Sequence, residues 1–167
     1  MLFLGIDVGS SSVKLSVLDG HTGKSLGALS YPDSELAIDS PAVGFAEQHP
    51  DTWWECVRQG FAQLVARGSF DPKQIDAIGI SYQMHGLVVV DKDQQVLRPS
   101  IIWCDSRAVP LGNKALTDLG HDYCFGHLLN SPGNFTAAKL RWVQENQPEL
   151  FARIHTIMLP GVFFAMK

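Results

Sequence analysis

Leu2-Phe3-Leu4-Gly5-Ile6-Asp7-Val8-Gly9-Ser10-Ser11-Ser12-Val13-Lys14-Leu15-Ser16-Val17 opens the chain and decides how the remainder is read. Leu2 to Ile6 is a nearly continuous apolar run, the pattern of a central strand buried on both faces. Val13, Leu15 and Val17 alternate with Ser12, Lys14 and Ser16, the pattern of a half-buried strand. Between the two, a carboxylate at Asp7 is followed by Gly9, which opens a tight turn, and by three hydroxyls at Ser10, Ser11 and Ser12. Asp19-Gly20-His21-Thr22-Gly23 supplies the next turn, and Ser25 to Tyr31 returns as a third strand. The opening is therefore an antiparallel meander with a polar turn at one end.

Outward from the meander, residues 32–50 are rich in Pro, Asp and Ser and read as an irregular connection, with a short strand at Val43-Gly44-Phe45-Ala46. Thr52 and Glu55 have the capping-box spacing, and Asp51 adds favourable charge at a helix start. Trp54, Val57, Phe61, Leu64 and Val65 then recur at helical spacing up to Gly68, a C-terminal stop. After Asp71-Pro72, Ile75 to Ser81 is strand-like, and strand–helix–strand implies a crossover packed on a sheet. Leu87–Val90 and Val96–Trp103 bracket the polar turn Asp91-Lys92-Asp93-Gln94. The last third is helical. Ser106 is read as the cap of one helix ending near Asp118, and Thr136 as the cap of another ending near Glu145. Pro148 opens a short third helix. His155–Leu159 follows as a strand, and Pro160 begins a final helical stretch. With neither an internal repeat nor a flexible linker, the pattern is an α/β layer fold.

Composition narrows the function classes. The chain has 167 residues, 46% hydrophobic and 18% charged, with thirteen Lys+Arg against seventeen Asp+Glu and a formal net charge of −4. That length supports one core, and the balance carries no basic footprint for nucleic acid. No apolar run reaches the roughly 18 residues a membrane helix needs. Met1-Leu2-Phe3-Leu4 has no basic region before its apolar run, so no secretory leader is expected. Cys56, Cys104 and Cys124 are odd in number and lack CxxC or zinc spacing, which reads as free thiols in a cytoplasmic protein. Asn134-Phe135-Thr136 matches a glycosylation sequon but stands without other signs of secretion.

Three stretches carry candidate chemistry. In Asp7-Val8-Gly9-Ser10-Ser11-Ser12, backbone N–H groups of the turn and the serine hydroxyls can hold phosphate oxygens, and Asp7 can hold Mg²⁺ directly or through water. The alternative is a hairpin turn with a solvated Asp. Neither GxxxxGK[ST] nor GxGxxG is present, which excludes a P-loop and a dinucleotide fingerprint. In Gln83-Met84-His85-Gly86, Gln83 and His85 offer hydrogen bonds, Met84 an adaptable apolar surface and Gly86 room for close approach. The alternative is a histidine satisfied by backbone at a strand end. In Trp103-Cys104-Asp105-Ser106-Arg107, an indole face suits a sugar ring and Asp105 can accept from hydroxyls, with Arg107 pairing to Asp105 or to phosphate. A core Trp with an ion pair ahead of a helix explains the same residues. Asn134-Phe135-Thr136 reads as a helix cap with an exposed aromatic, and Trp53-Trp54 as core.

A phosphate-friendly turn in a three-strand meander, followed by helix and strand, is the actin-like, ribonuclease-H-like order. Gly5 to Lys14 resembles the first phosphate motif of the FGGY carbohydrate kinases. Ser81-Tyr82-Gln83-Met84-His85-Gly86-Leu87 resembles in particular the sugar segment of members acting on xylulose. Arg98 to Arg107 and Asn134 to Trp142 are similar to the same members, so the resemblance covers essentially the whole chain. Members acting on glycerol carry Arg-Glu where this chain has Met84-His85. Those acting on gluconate carry Met-His, usually without the following Gly.

The resemblance implies an α/β actin-like ATPase (ribonuclease H-like) domain, a mixed sheet with flanking helices, incomplete. Residues 1–167 would be the N-terminal part of the first of two such domains. It implies ATP and Mg²⁺, with Asp7 at the metal and Gly9, Ser10, Ser11 and Ser12 at the phosphates. Gln83, Met84, His85, Trp103 and Asp105 would contact the sugar. D-xylulose is the expected acceptor, with ribulose and gluconate as alternatives, and a homodimer is in keeping with the family. The catalytic Asp and the adenosine motifs are expected beyond Lys167, so residues 1–167 alone would turn over no sugar. The chain stops inside an expected helix, Phe163 to Lys167, and extra exposed apolar surface follows from that reading. Val162 stands where the family tends to carry an acidic residue. Two other classes fit the fold signal: an actin-like ATPase switch, which has no use for Gln83-Met84-His85, and a non-catalytic sugar-binding module.

Overall fold

A computed structural model describes every residue from Met1 to Lys167. Strands β1 (Leu2–Val8), β2 (Val13–Asp19) and β3 (Lys24–Tyr31) form the expected meander. Helix α1 (Pro50–Ala66) then crosses over to β5 (Ile75–Tyr82), which pairs with β1 in parallel. The resulting mixed sheet has the order β3-β2-β1-β5, so β1 is interior and β5 is an edge. The remaining strands are short: β4 (Glu47–Gln48) pairs with β7 (Ser100–Ile101), and β6 (Val88–Val90) with β8 (Thr156–Met158). The C-terminal helices are α2 (Val109–Leu119), α3 (His121–His127), α4 (Thr136–Asn146), α5 (Pro148–Phe151) and α6 (Pro160–Met166).

The core follows from strand alternation. Leu4, Ile6, Val8, Val13, Leu15 and Val17 project from one face of the sheet onto Trp53, Val57 and Leu64 of α1 and Phe163 and Phe164 of α6. A second, smaller core gathers Leu87, Val89, Ile101 and Val143. Strand β6 is the wall between them. Its period of two sends Val88 and Val90 into the first core, while Leu87 and Val89 face the second. That dual burial explains why 87–90 is apolar at every position.

Several expectations are corrected. The run Leu2–Ile6 is buried on one face only, because Gly5 is exposed and the opposite sheet face is open. There Gly5, Ser16, Ala28, Ser30, Gly79 and Ser81 line a shallow concavity of about 790 Å³. At the β5 edge Ile78 is 59% accessible, and further exposed apolar side chains lie around α3, at Leu119, Tyr123, Phe125 and Leu129. Residues 43–44 form a turn, and the strand lies just beyond, at Glu47–Gln48. Helix α1 starts earlier than the Thr52 capping box, because His49 Nδ1 accepts from the Asp51 N–H and Pro50 fills the first turn. Ser106 does not cap α2, since its hydroxyl donates to the Gly44 carbonyl at 3.1 Å. Thr136 is the first residue inside α4, with Phe135 in the cap position. Helix α3 has no counterpart in the sequence reading.

Helix α2 meets the turn 132–134 through Gly112. A Cβ there would lie 2.4 Å from the Gly133 Cα and 2.4 Å from the Pro132 carbonyl oxygen. Both are backbone atoms, which have no rotamer to retreat into. Gly112→Ala is expected to destabilise the chain by about 1–3 kcal/mol in urea unfolding. An unchanged midpoint would show that the turn can slide.

Candidate functional site

Parallel pairing of β1 and β5 sets Asp7 beside Ser81 and Val8 beside Tyr82. Both strands therefore release their chains at the same end of the sheet. The Gly9–Ser12 turn leaves one and the Gln83–Gly86 turn leaves the other, and the Gln83 N–H still donates to the Val8 carbonyl at 2.9 Å. Crevices outside the carboxyl ends of parallel strands are where open α/β sheets place ligands.

The first turn is tied down on its protein side. Gly9 donates to the Ser12 carbonyl at 3.0 Å, and a Cβ on Gly9 would sit 3.0 Å from that oxygen, so glycine suits the position. Gln48 Nε2 donates to the Ser10 carbonyl at 2.7 Å, while Gln48 Oε1 accepts from Trp53 Nε1 at 3.0 Å. Trp53 is core, as expected, and its indole N–H fixes the amide that fixes the turn. The Ser12 hydroxyl accepts from Ser30 Oγ at 3.0 Å. Asp7 is half exposed and 3.2 Å from Lys14 Nζ, which is itself exposed. One half-exposed carboxylate beside a glycine cradle fits Mg²⁺, which takes few protein ligands and keeps water and phosphate oxygens.

The second turn carries Met84, 63% exposed, and His85, which is half-buried with a φ of 62°. The His85 ring stacks on Phe135 at 4.8 Å between centroids, with planes 16° apart. Its pKa is lowered, first by desolvation and then by the nearby Lys139 charge, which favours the neutral imidazole that both donates and accepts. Met84 and His85 line a cavity of about 460 Å³ with Ile80, Ser81, Tyr82 and Leu159. Gln83 has both amide heteroatoms buried without a partner.

Trp103 follows β7 and is 50% exposed, with its indole N–H 3.3 Å from Ser10 Oγ. Asn134 Nδ2 donates to the Trp103 carbonyl. The structure thus gathers Gly9–Ser12, Gln83, Met84, His85 and Trp103 around one end of the sheet. Asp105 departs from the expectation of a sugar-facing carboxylate. It is fully buried, and its oxygens accept from the Ala46 N–H at 2.6 Å and from Arg107 Nη2 at 2.7 Å.

Asp105 belongs to a buried ionic network behind the site. Arg107 Nη1 is 2.6 Å from Glu47 Oε1, and Arg98 Nη2 pairs with the same oxygen. The Arg107 guanidinium also lies 3.7 Å from the Phe45 ring centroid and 4.8 Å from that of Trp142. Lys139 is fully buried, donates from Nζ to the His85 carbonyl at 2.8 Å, and has its pKa lowered to about 8, chiefly by desolvation.

Sequence reasoning missed Gln48, Glu47, Arg98 and Lys139, and it rated Asn134 and Phe135 as a cap only. Lys139 alone left a signal: a charged residue between Ala138 and Val143 on the buried stripe of α4.

A family model described as the FGGY family of carbohydrate kinases, N-terminal domain, matches residues 2–167. The chain belongs to the FGGY family of carbohydrate kinases. The xylulose kinase of Bacillus subtilis strain 168 is 37% identical over 164 residues, covering 94% of this chain and 31% of that protein. The xylulose kinase of Escherichia coli K12 is 32% identical over 166 residues, covering 99% and 33%. The crystal structure of a xyloylose kinase from Brucella ovis aligns with a TM-score of 0.88 at 32% identity, covering 99% of this chain and 34% of that one. The chain spans about a third of the length of these relatives. The actin-like ATPase fold expected from the order of elements is the fold of this FGGY domain. No helix is long and apolar enough to cross a membrane.

Two outcomes test the network behind the site. Arg107→Met leaves the buried Asp105 without its cationic partner, while Glu47 keeps Arg98, and unfolding stability is expected to fall by about 3–5 kcal/mol. A loss below about 1 kcal/mol would mean that Asp105 finds another partner. Lys139 binds its proton less tightly in the folded chain, at about 8 against an ordinary 10.5. Between those values the unfolded chain holds more protons, so stability rises with pH; this contribution is complete above 10.5 and lost as pH falls through 8. Relative to Lys139→Met, the wild-type melting temperature should therefore climb from pH 8 to 10, and parallel profiles would contradict the assignment.

Proposed function

We propose that this FGGY domain provides the phosphate turn and sugar wall of an ATP-dependent kinase acting on D-xylulose. The observation that carries the reading is the shared origin of two turns. A glycine-serine turn and a histidine-bearing turn leave adjacent parallel strands, and Trp103 bridges from the sugar side to Ser10. Phosphoryl transfer depends mainly on positioning and charge neutralisation, and this arrangement places both functions at one crevice.

The residues divide the work. Gly9 closes the turn through its own N–H, and the backbone N–H groups and hydroxyls from Ser10 to Ser12 hold phosphate oxygens of ATP. Asp7 would hold Mg²⁺, directly or through water, and the ion would supply neutralisation of phosphate charge. Met84 and the Trp103 ring present apolar surface to the C–H face of the sugar, while Gln83 and neutral His85 bond its hydroxyls. The buried, unpartnered Gln83 amide supports a polar ligand or water beside it. Asp105 acts from behind by holding Arg107 and the Ala46 backbone. The primary hydroxyl oxygen of the sugar bonds to the γ-phosphorus as the bridge to the β-phosphate breaks. Its proton passes to a general base supplied from outside residues 1–167. Xylulose is favoured over glycerol by Met84-His85 and over gluconate by Gly86.

Titration of the chain with D-xylulose, D-ribulose and gluconate, followed by tryptophan emission, tests the reading. D-xylulose should bind tightest and Trp103→Ala should abolish the response. Tighter gluconate binding would overturn the substrate, and no sugar binding would overturn the sugar wall. In a full-length kinase carrying this domain, Asp7→Ala should lower turnover about 10²-fold with sugar affinity retained; loss of sugar affinity instead would contradict the phosphate-side role.

A further inference from the structure

His85 occupies the left-handed region of backbone space, at φ 62°, which a residue with a side chain adopts only where its surroundings hold it there. Glycine follows at Gly86, where a Cβ would lie 2.6 Å from Pro160 Cγ, so the turn is pressed against the start of α6. Two groups hold the other side, and both come from one helix. Phe135, at the start of α4, stacks on the His85 ring. Lys139, one turn further along, reaches the His85 carbonyl with its ammonium at 2.8 Å. Ring and carbonyl are thus gripped separately, and the imidazole can turn only by losing one of these contacts.

The burial of Lys139 has no other evident purpose. It makes no ion pair within 4.0 Å, and its one hydrogen bond is to His85. A buried ammonium is costly unless its charge is used. We infer that Lys139 is a positioning residue that locks the His85 turn in its sugar-binding orientation. This rests on the reading of His85 as a sugar contact.

The charge arrangement supports a role beyond packing. From α4, Lys139 faces His85 and disfavours its protonation. From the segment after β7, Asp105 and Cys104 favour the Lys139 charge while Arg107 opposes it. Tyr82 is the titratable group at the end of β5, and α6 contributes none. Lys139 therefore helps keep the imidazole neutral as well as still.

Sugar binding and proton NMR of the His85 ring in the 167-residue chain test the inference. Lys139→Met should weaken D-xylulose binding by about tenfold or more, the effect of leaving a buried carbonyl unpaired. It should also raise the pH midpoint of the His85 ring, which a purely structural loss would not do. Should that variant not fold, the wild-type chain still decides: the Lys139 ¹⁵Nζ signal should shift at saturating sugar although no Lys139 atom reaches the surface. Wild-type binding with an unmoved Lys139 signal, or a variant with unchanged affinity and His85 midpoint, overturns the inference. Absence of sugar binding by the wild type overturns the underlying reading of His85 instead.

Discussion

The bidentate contact between Arg107 and Asp105 is the constraint on which the geometry of the site depends. Asp105 receives the Ala46 N–H as well as Arg107, and Arg107 in turn reaches Glu47 on β4. Arg98, arriving before β7, shares that Glu47 oxygen and extends to Gln147 at 3.0 Å. Four charged groups, two of each sign, thereby join the 44–47 loop, the strand leading to Trp103 and the end of α4. Burying them is not an obvious gain in stability, because desolvation offsets most of the attraction. What such a network can give is register. A two-residue pairing of β4 with β7 has too few ladder bonds to define itself, and the ion pairs select one alignment. That alignment sets Trp103 opposite Ser10.

A second constraint comes from the main sheet. Antiparallel pairing alone would send the first turn and any later turn to opposite ends of adjacent strands. The α1 crossover makes β5 parallel to β1 and puts the Gly9–Ser12 and Gln83–Gly86 turns at one end. Strand β6 then continues from the second turn into the wall between two cores, so the turn is anchored at its C-terminal end by buried valines that face both cores. Rigid elements thus carry a site whose own residues are mostly in turns, the usual division between scaffold and function.

The parts of this arrangement that were legible in the sequence are those governed by short periods. Alternation at Val13, Leu15 and Val17 and the helical spacing of Val57, Phe61 and Leu64 gave elements close to those observed. Helix starts were less legible, because hydrogen-bonding capacity does not reveal where a side chain will be spent. Ser106 and Thr136 are good caps by chemistry, yet Ser106 bonds a loop carbonyl sixty-two positions away and Thr136 enters the helix. At α1 the capping acceptor is an imidazole, a residue type with no strong sequence signature for the role. In the site, Gly9 to Ser12, Gln83 to His85 and Trp103 were legible because residue types and turn signals coincide there. Asp105 was misjudged in its surroundings, since a carboxylate next to an aromatic reads equally as ligand contact or buried pair. Its neighbours Glu47 and Arg98 lie in separate segments, and nothing local connects them.

The bonding of the serine turn also has a direction. Ser10 Oγ lies as acceptor to the Trp103 indole, and Ser12 Oγ is hydrogen-bonded to Ser30 Oγ. A hydroxyl that accepts through a lone pair still has its own proton to give. The indole has only a proton to give, so Ser10 is held as acceptor and keeps its own proton for donation. Gln48 reinforces this by occupying the Ser10 carbonyl, an acceptor that would otherwise repel an anion. With the Gly9 N–H closing the turn on the Ser12 carbonyl, the donors that remain in this turn are those of Ser10 to Ser12, the feature that the proposed phosphate role uses. The indole that orients Ser10 is itself half exposed, so on the proposed function a ring stacking on Trp103 and a phosphate bonding Ser10 would meet the same pair of residues. Acceptor and donor substrates would then be coupled through one hydrogen bond.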